Sequence, residues 1–373
     1  MENAYIVGIA TTAFGRHPDT SVETLAAEAI FAALQDADVQ WRDVQQLYAA
    51  HVSQGVAAGQ RVVKEVGPTG LPVVNVENCS AASSTALREA ALAVGSGAFD
   101  VVMVCGFEKM KHGLLLNVIP EDDPDVAMGL TVLPMRFSMM GMQHMQDYGT
   151  RPEHFAAVSV KNHQHAVHNP KAQYPKEVSL EQVMNSRMIC DPITVLQCSP
   201  TTDGAAAAVI CSESWLRRHG RARAVRILGS TLTSDSLEYA QNRFTLDHVQ
   251  RAAAQLYEKT GLGPADLDVV ETHDCFSVAE LVAYEALGLC PEGEGGRLID
   301  ERATWIGGRI PVNPSGGLLA KGHPLGATGL GQISELVTQI RGEAGARQVE
   351  GARVGLASNM GMWSSCVTML GAQ

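Results

Sequence analysis

Cys79 stands where an apolar extended run, "LPVVNV" (71–76), gives way to the helix-forming "SAASSTALREAALAVG". A thiol at the mouth of a helix meets unpaired amide N–H groups and a partial positive charge. Both favour a thiolate, and the same amides could hold an oxyanion. The other reading of a lone cysteine is a small buried hydrophobe. A second stretch, "ETHDCFSVAE" (271–280), packs His273, Asp274 and Cys275 together at another strand-to-helix change. Asp274 is accounted for as a helix cap. His273 and Cys275 are not, and both side chains can titrate near neutral pH, as proton transfer requires. A third stretch, "NPSGGLLAKGHPLGATG" (313–329), is so rich in glycine that its backbone must turn tightly or approach something closely. His323 lies within it, just before a helix. The run has neither the GK[ST] of a phosphate loop nor a GxGxxG pattern.

The elements that must position these groups alternate between two periods. "AYIVGIA" (4–10) reads as a strand and "SVETLAAEAIFAALQDA" (21–37) as a helix with Ser21 at its N-cap. "VQQLYAAHV" and "LPVVNV" read as further strands, and "DVVMVCG" as a fully apolar central one. Alternating strands and helices imply a layered α/β sheet with right-handed crossovers. The order then recurs. "AVRILGS" (224–230) matches 4–10, and "TGLGPADLDVVETHDC" (260–275) matches 37–52 with Asp266 on Asp43. "HPLGATGLGQISELVTQIRG" matches the helix after Cys79, "ARVGLASNMG" (352–361) matches 99–108, and "SSCVTMLG" matches "GAAAAVICS" (204–212). The chain thus reads as a duplicated α/β unit. In that frame His323 holds the place of Cys79, so two pseudo-symmetric strand ends bring a thiol and an imidazole together, the arrangement of an activated nucleophile.

The expected division is a first half over 1–118, completed by a strand at about 195–215, an inserted loop domain over 119–194, and a second half over 216–373. The insertion carries Met128, Met135, Met139, Met140, Met142 and Met145. These read either as flexible packing under a long loop or as an adaptable apolar wall for an acyl chain. Its "NHQHAVHNP" offers His163, His165 and His168, read as a surface helix end in preference to a metal site.

The bulk of the chain narrows the class. With 373 residues and 46% hydrophobic content it can bury a large core. A net charge of −12 argues against a nucleic-acid binder. No apolar run of membrane-spanning length is found, and "MENAYIVGIATTAFG" lacks the basic-then-apolar pattern of a signal peptide, so a cytoplasmic protein is expected. Eight cysteines lie scattered without a CxxC pair, which fits neither a disulfide framework nor a zinc ribbon.

Over essentially its whole length the chain resembles thiolases, and among them the sterol-carrier-protein-2 type. The glycine-rich run at 313–329, the "HDCF" at 273–276, the strand–Cys–helix at 73–95 and "DGAAAAVICSES" (203–214) carry that resemblance. The carrier-protein domain itself is expected to be absent, since the chain closes on its last strand. The resemblance implies two similar βαβαβαββ halves in α-β-α-β-α layers with a loop-domain insertion. The implied reaction is CoA-dependent cleavage of a 3-ketoacyl-CoA, or the reverse condensation, through an acyl-cysteine. It assigns Cys79 as the nucleophile, His323 as its base and later an oxyanion donor, His273 as a neighbour in that oxyanion hole, and Cys275 as the acid/base for the α-carbon. Backbone amides of Cys79 and Gly361 would form the second oxyanion hole. Common thiolases carry their acid/base cysteine where this chain has Asn359-Met360-Gly361, and Cys275 takes over that task. Cys366 is expected in the core.

No prosthetic group or metal is expected, and coenzyme A is a substrate. Lys321, Ser315 and Gly316 are candidate contacts to it. The resemblance also implies a homodimer or homotetramer and a small zinc-ribbon/OB-fold partner subunit. The other readings are a thiolase-like acyltransferase, a retro-aldol lyase acting on acyl-CoA, and a non-catalytic scaffold, which predicts eroded site residues. The acyl chain is left open between straight, branched and aromatic.

Overall fold

Ser21 opens the first helix as its residue type predicts: its hydroxyl accepts the Thr24 amide at 3.0 Å, and α1 (Val22–Ala37) follows. This helix buries Leu25, Ala26, Ala29, Ile30 and Ala33. It lies close on β1 (Ala4–Thr11), because a side chain at Gly8 would sit 2.3 Å from the Ala33 carbonyl oxygen. The computed structural model describes residues 2–111, 124–127, 129–130, 132–220, 223–237 and 244–373.

The strands that follow are β2 (Gln46–Ala50), β3 (Val73–Val76), β4 (Val101–Glu108), β5 (Met188–Cys190), β6 (Ile193–Thr194), β7 (Gly204–Ser212), β8 (Val225–Ser234), β9 (Val269–Glu271), β10 (Val354–Gly361) and β11 (Ser364–Ala372). Nine of them form a mixed sheet in the order β3-β2-β4-β7-β1-β8-β11-β10-β9, while β5 and β6 pair as a small hairpin. β2 runs parallel to β3 and β4, and β9 runs parallel to β10. The two arms meet where β1 pairs antiparallel with β8. Outside β9, Val312 bridges Val270 in parallel, just as β3 flanks β2.

Helices cover these arms in layers. α1 and α2 (Ala58–Val66) share a core with the outer face of β1, β2, β4 and β7. α6 (Asp247–Thr260) and α7 (Ser277–Ala286) do the same for the second arm. Between the arms lie α3 (Ala82–Gly95) and α8 (Thr328–Ile340). Ala86 and Leu87 of one, and Leu330, Ile333 and Leu336 of the other, join a single core with Val104, Ile210, Ala357 and Leu370. The protein therefore has the layered α/β thiolase architecture implied by its motifs. Between β4 and β7 the chain adds α4 (Leu133–Tyr148), α5 (Pro152–Ala166) and the β5–β6 hairpin. Parallel strands send their C-terminal ends to one side, where ligands bind in open α/β sheets. The segments after β3 and β9 and the end of β10 carry Cys79, His273 with Cys275, and Gly361.

No helix among the described residues is long and apolar enough to cross a membrane.

Candidate active site

Cys79, His273, Cys275, His323 and Gly361 all line one cavity of about 720 Å³. Its wall is largely apolar, with Phe137 and Met140 from α4, Leu246 before α6, Phe276, Met360 and Trp363 among its lining. Phe137 and Phe276 pack at 4.6 Å between ring centres.

Cys79 does not sit at the helix mouth as expected. α3 starts at Ala82, and Cys79 occupies the turn before it with φ +47°, in the left-handed region that non-glycine residues rarely adopt. Burial pushes its thiol pKa up, outweighing the lowering by the Ser80 amide and hydroxyl and by the Met362 amide. A thiolate here needs a base. The Cys79 amide donates to Glu77 Oε1 at 2.7 Å, so a carboxylate already stands at one of the two amides expected to hold an oxyanion. Gly361 lies close to the same turn: a Cβ there would fall 2.5 Å from the Asn78 carbonyl oxygen.

His323 is oriented by a short relay. The Thr328 hydroxyl donates to the Pro324 carbonyl (2.9 Å), so it accepts from His323 Nδ1–H at 2.7 Å. Nε2 is left with its lone pair, 3.4 Å from the Ser80 hydroxyl next to Cys79. Burial, then His273 and Lys321, hold the His323 pKa well below the ordinary value of 6.5, so the ring is neutral and basic at Nε2. The backbone N–H of His323 donates to Thr202 Oγ1 (2.9 Å), fixing the loop.

His273 meets His323 edge to face at 5.1 Å. Its orienter is Asn359. The Asn359 amide group donates to the Ser80 carbonyl (2.9 Å) and Ser84 Oγ (3.1 Å), which turns Oδ1 toward His273 and makes Nδ1–H the donor at 2.6 Å. Burial lowers His273 to about 4, so its Nε2 also presents a lone pair at neutral pH. It therefore donates to an oxyanion only after gaining a second proton. Cys275 is half-buried beside it. Burial and the Asp274 carboxylate push its thiol pKa well up.

Several expectations are corrected. Lys321 is buried, with Nζ 3.3 Å from Glu271 Oε2, and the Ser315 hydroxyl donates to the same oxygen at 2.8 Å. Gly316 packs on Ala166, 2.6 Å from a hypothetical Cβ. None of the three is among the residues that line the cavity. His163 and His165 are buried, not at a surface helix end: His163 lines the cavity with Nδ1 3.0 Å from the Lys176 carbonyl, and His165 Nδ1 lies 3.0 Å from the Asn313 carbonyl. Only His168 is exposed. Of the methionines, Met140 is in the cavity wall, Met139 and Met142 are exposed, and Met128 lies outside the described residues. Cys366 is buried in β11. No local pattern marks Thr328, Cys198 or His248. Cys198 and His248 line the cavity.

Family models match both arms: "Thiolase, N-terminal domain" over residues 4–214 and "Thiolase C-terminal domain-like" over 229–372. The chain is 42% identical to sterol carrier protein 2 of Oryctolagus cuniculus, over 99% of this chain and 72% of that protein. It is 40% identical to the acetyl-CoA acetyltransferase of Methanothermobacter thermautotrophicus, over 97% of each. Among solved structures, the Ltp2-ChsH2(DUF35) aldolase superposes with a TM-score of 0.89 at 27% identity, over 99% of this chain and 98% of that one.

Proposed function

The chain belongs to the thiolase family, and from that premise we propose how its residues carry out acyl transfer on CoA thioesters. The reaction class is thiolytic cleavage of a 3-ketoacyl-CoA or its reverse. One observation carries the assignment of roles: five groups from four chain segments face one cavity, with His323 tautomerically set as a base beside the Cys79 turn.

Cys79 Sγ attacks the ketone carbon and its proton passes to His323 Nε2. The carbon–carbon bond then breaks, leaving an acyl group on Cys79 and the enolate of a shorter CoA thioester. Cys275 gives its S–H proton to the enolate carbon. The incoming CoA thiol returns a proton to Cys275, its sulfur takes the acyl group from Cys79, and the departing Cys79 thiolate recovers its proton from His323. Protonated His323 stabilises the thioester oxygen beside His273, and the Cys79 and Gly361 amides serve the acyl-enzyme once Glu77 has swung away. Arg136, Lys176 and Arg187 in the cavity lining supply positive charge suited to the CoA phosphates. No prosthetic group is needed for these steps.

A homo-oligomer is supported by β3, which pairs with β2 alone and exposes Val74 at 41%. The likeness to an aldolase named together with ChsH2(DUF35) supports a search for a partner subunit. It also favours a second reading, a carbon–carbon lyase. The cytoplasmic reading rests on the sequence alone. Intact-protein mass spectrometry with a panel of acyl-CoAs tests the assignment. Wild type is expected to gain one acyl mass and Cys79→Ala none, with turnover of the variant down by at least about 10³-fold. A lyase cleaves without loading Cys79, so turnover with no mass gain would replace the thiolase assignment.

A further inference from the structure

Beneath the cavity floor, outside the steps just described, lies a sealed cluster of charges. Lys161, Asn162, Asp274, Glu280 and Asn313 are each essentially inaccessible to solvent. They come from three places: Lys161 and Asn162 from α5 of the insertion, Glu280 from α7, and Asp274 and Asn313 from the loops flanking β9 and the glycine run. Asp274 Oδ1 accepts the Leu318 amide at 2.7 Å. Its Oδ2 accepts the Leu319 amide at 3.2 Å and Asn162 Nδ2 at 2.7 Å. Glu280 accepts from Asn162 Nδ2 (2.6 Å), Asn313 Nδ2 (2.7 Å), the Tyr284 hydroxyl (2.5 Å) and Lys161 Nζ (2.5 Å). Lys161 Nζ also donates to the Val312 carbonyl at 2.7 Å.

Every hydrogen-bond contact on both carboxyl groups is a donor, and the two face a single ammonium. The nearby Lys321–Glu271 pair is balanced within itself. Two acidic side chains set against one ammonium therefore lie under the turn that carries Cys275. Space reinforces the clamp: a Cβ at Gly317, whose φ is +59°, would fall 2.2 Å from Asp274 Oδ2. Burial and Glu280 raise the Asp274 pKa, against the Leu318 and Leu319 amides and Lys161.

We propose that Asp274 is a positioning residue for the reaction. Its carboxylate ties the His273–Cys275 turn to the Leu318–Leu319 backbone, and its charge holds Cys275 as the thiol that protonates the enolate carbon. The two cysteines of the site are thereby set apart. Cys79 meets the Ser80 and Met362 amides and a neutral base, whereas Cys275 meets Asp274 from its own turn and the Cys198 thiol from the facing segment. Asn162 and Lys161 make the inserted helix part of this arrangement, coupling the insertion to the acid/base residue. The inference rests on the proposed assignment of Cys275 as the acid/base.

The test is the pH dependence of iodoacetamide alkylation at Cys275 and at Cys79, read peptide by peptide by mass spectrometry in wild type, Asp274→Asn and Glu280→Gln. Circular dichroism verifies the fold of each variant. Asp274→Asn is expected to alkylate at Cys275 at least tenfold faster than wild type at pH 8, with the Cys79 profile in place. Glu280→Gln, which keeps the Asp274 contacts and removes a group that raises the Asp274 pKa, is expected to alkylate at Cys275 no faster than wild type. If Asp274→Asn does not fold, Asp274→Ser is read in its place. An unmoved Cys275 profile in a folded Asp274 variant, equal acceleration at both cysteines, or an acceleration in Glu280→Gln as large as in the Asp274 variant would overturn the proposal. Acyl loading of Cys79 by acyl-CoA is measured separately, so a failure of the thiolase assignment shows there and not in the alkylation profile.

Discussion

At the scale of single residues, the site works by fixing which nitrogen carries a proton. Thr328 and Asn359 each hold a histidine by Nδ1–H, so both Nε2 atoms begin as acceptors. This makes Asn359 as consequential as the histidine it holds. Asn359→Ala leaves the His273 ring without its partner and removes a donor from the Ser80 carbonyl. We expect kcat to fall by about 10²-fold, in line with the cost of misplacing a reacting group, and KM to change little. Steady-state kinetics checks this, and a kcat within twofold of wild type would remove the orienting role from Asn359.

At the scale of elements, three tight turns aim the chemistry: the one after β3, the one after β9 and the β10–β11 hairpin. They can do so because β3 runs parallel to β2 and β9 to β10, and the turns that follow converge on one cavity. β3 is also the open edge of the sheet, with Val74 and Asn75 exposed. An uncovered edge two residues from the Cys79 turn is a liability in a monomer. A charge at its centre, Val74→Glu, is expected to convert an oligomer to monomer. Light scattering after size-exclusion chromatography reads the outcome, and an unchanged molar mass would show that β3 is not the contact.

At the scale of the whole molecule, the large core carries many buried histidines. Burial depresses the pKa of His51, His163, His165 (to about 3), His248 (to about 4), His273 (to about 4) and His323. A depressed histidine contributes stability that is present above its unfolded value near 6.5 and lost as pH falls toward its folded value. The raised carboxyls of Asp235, Glu271 and Asp274 act in the opposite direction over part of this range, but they are fewer. Stability should therefore fall as pH drops below 6.5. Thermal melts are expected to give a Tm lower by at least ~5 °C at pH 5 than at pH 7.5. A Tm that is flat or higher at pH 5 would contradict this balance.

The sequence by itself determined the fold class and marked the candidate reacting groups, because both are written in local pattern. Strand and helix periods, repeated in order, required a layered α/β protein. Cys79, the His273–Cys275 pair and His323 stood out because their types are not needed by the turns that hold them. What the sequence could not show is which groups face the cavity and which lie under it. Lys321 and His163 illustrate the limit. One looked like a ligand contact and is buried against Glu271, while the other looked like a surface residue and lines the cavity. Both outcomes depend on the long-range packing of α5 against the glycine loop, and no local period encodes that contact. Protonation was likewise decided only in three dimensions. The neutral His323, the high thiol pKa of Cys79 and the raised carboxyl of Asp274 all arise from burial and from partners brought close by the fold.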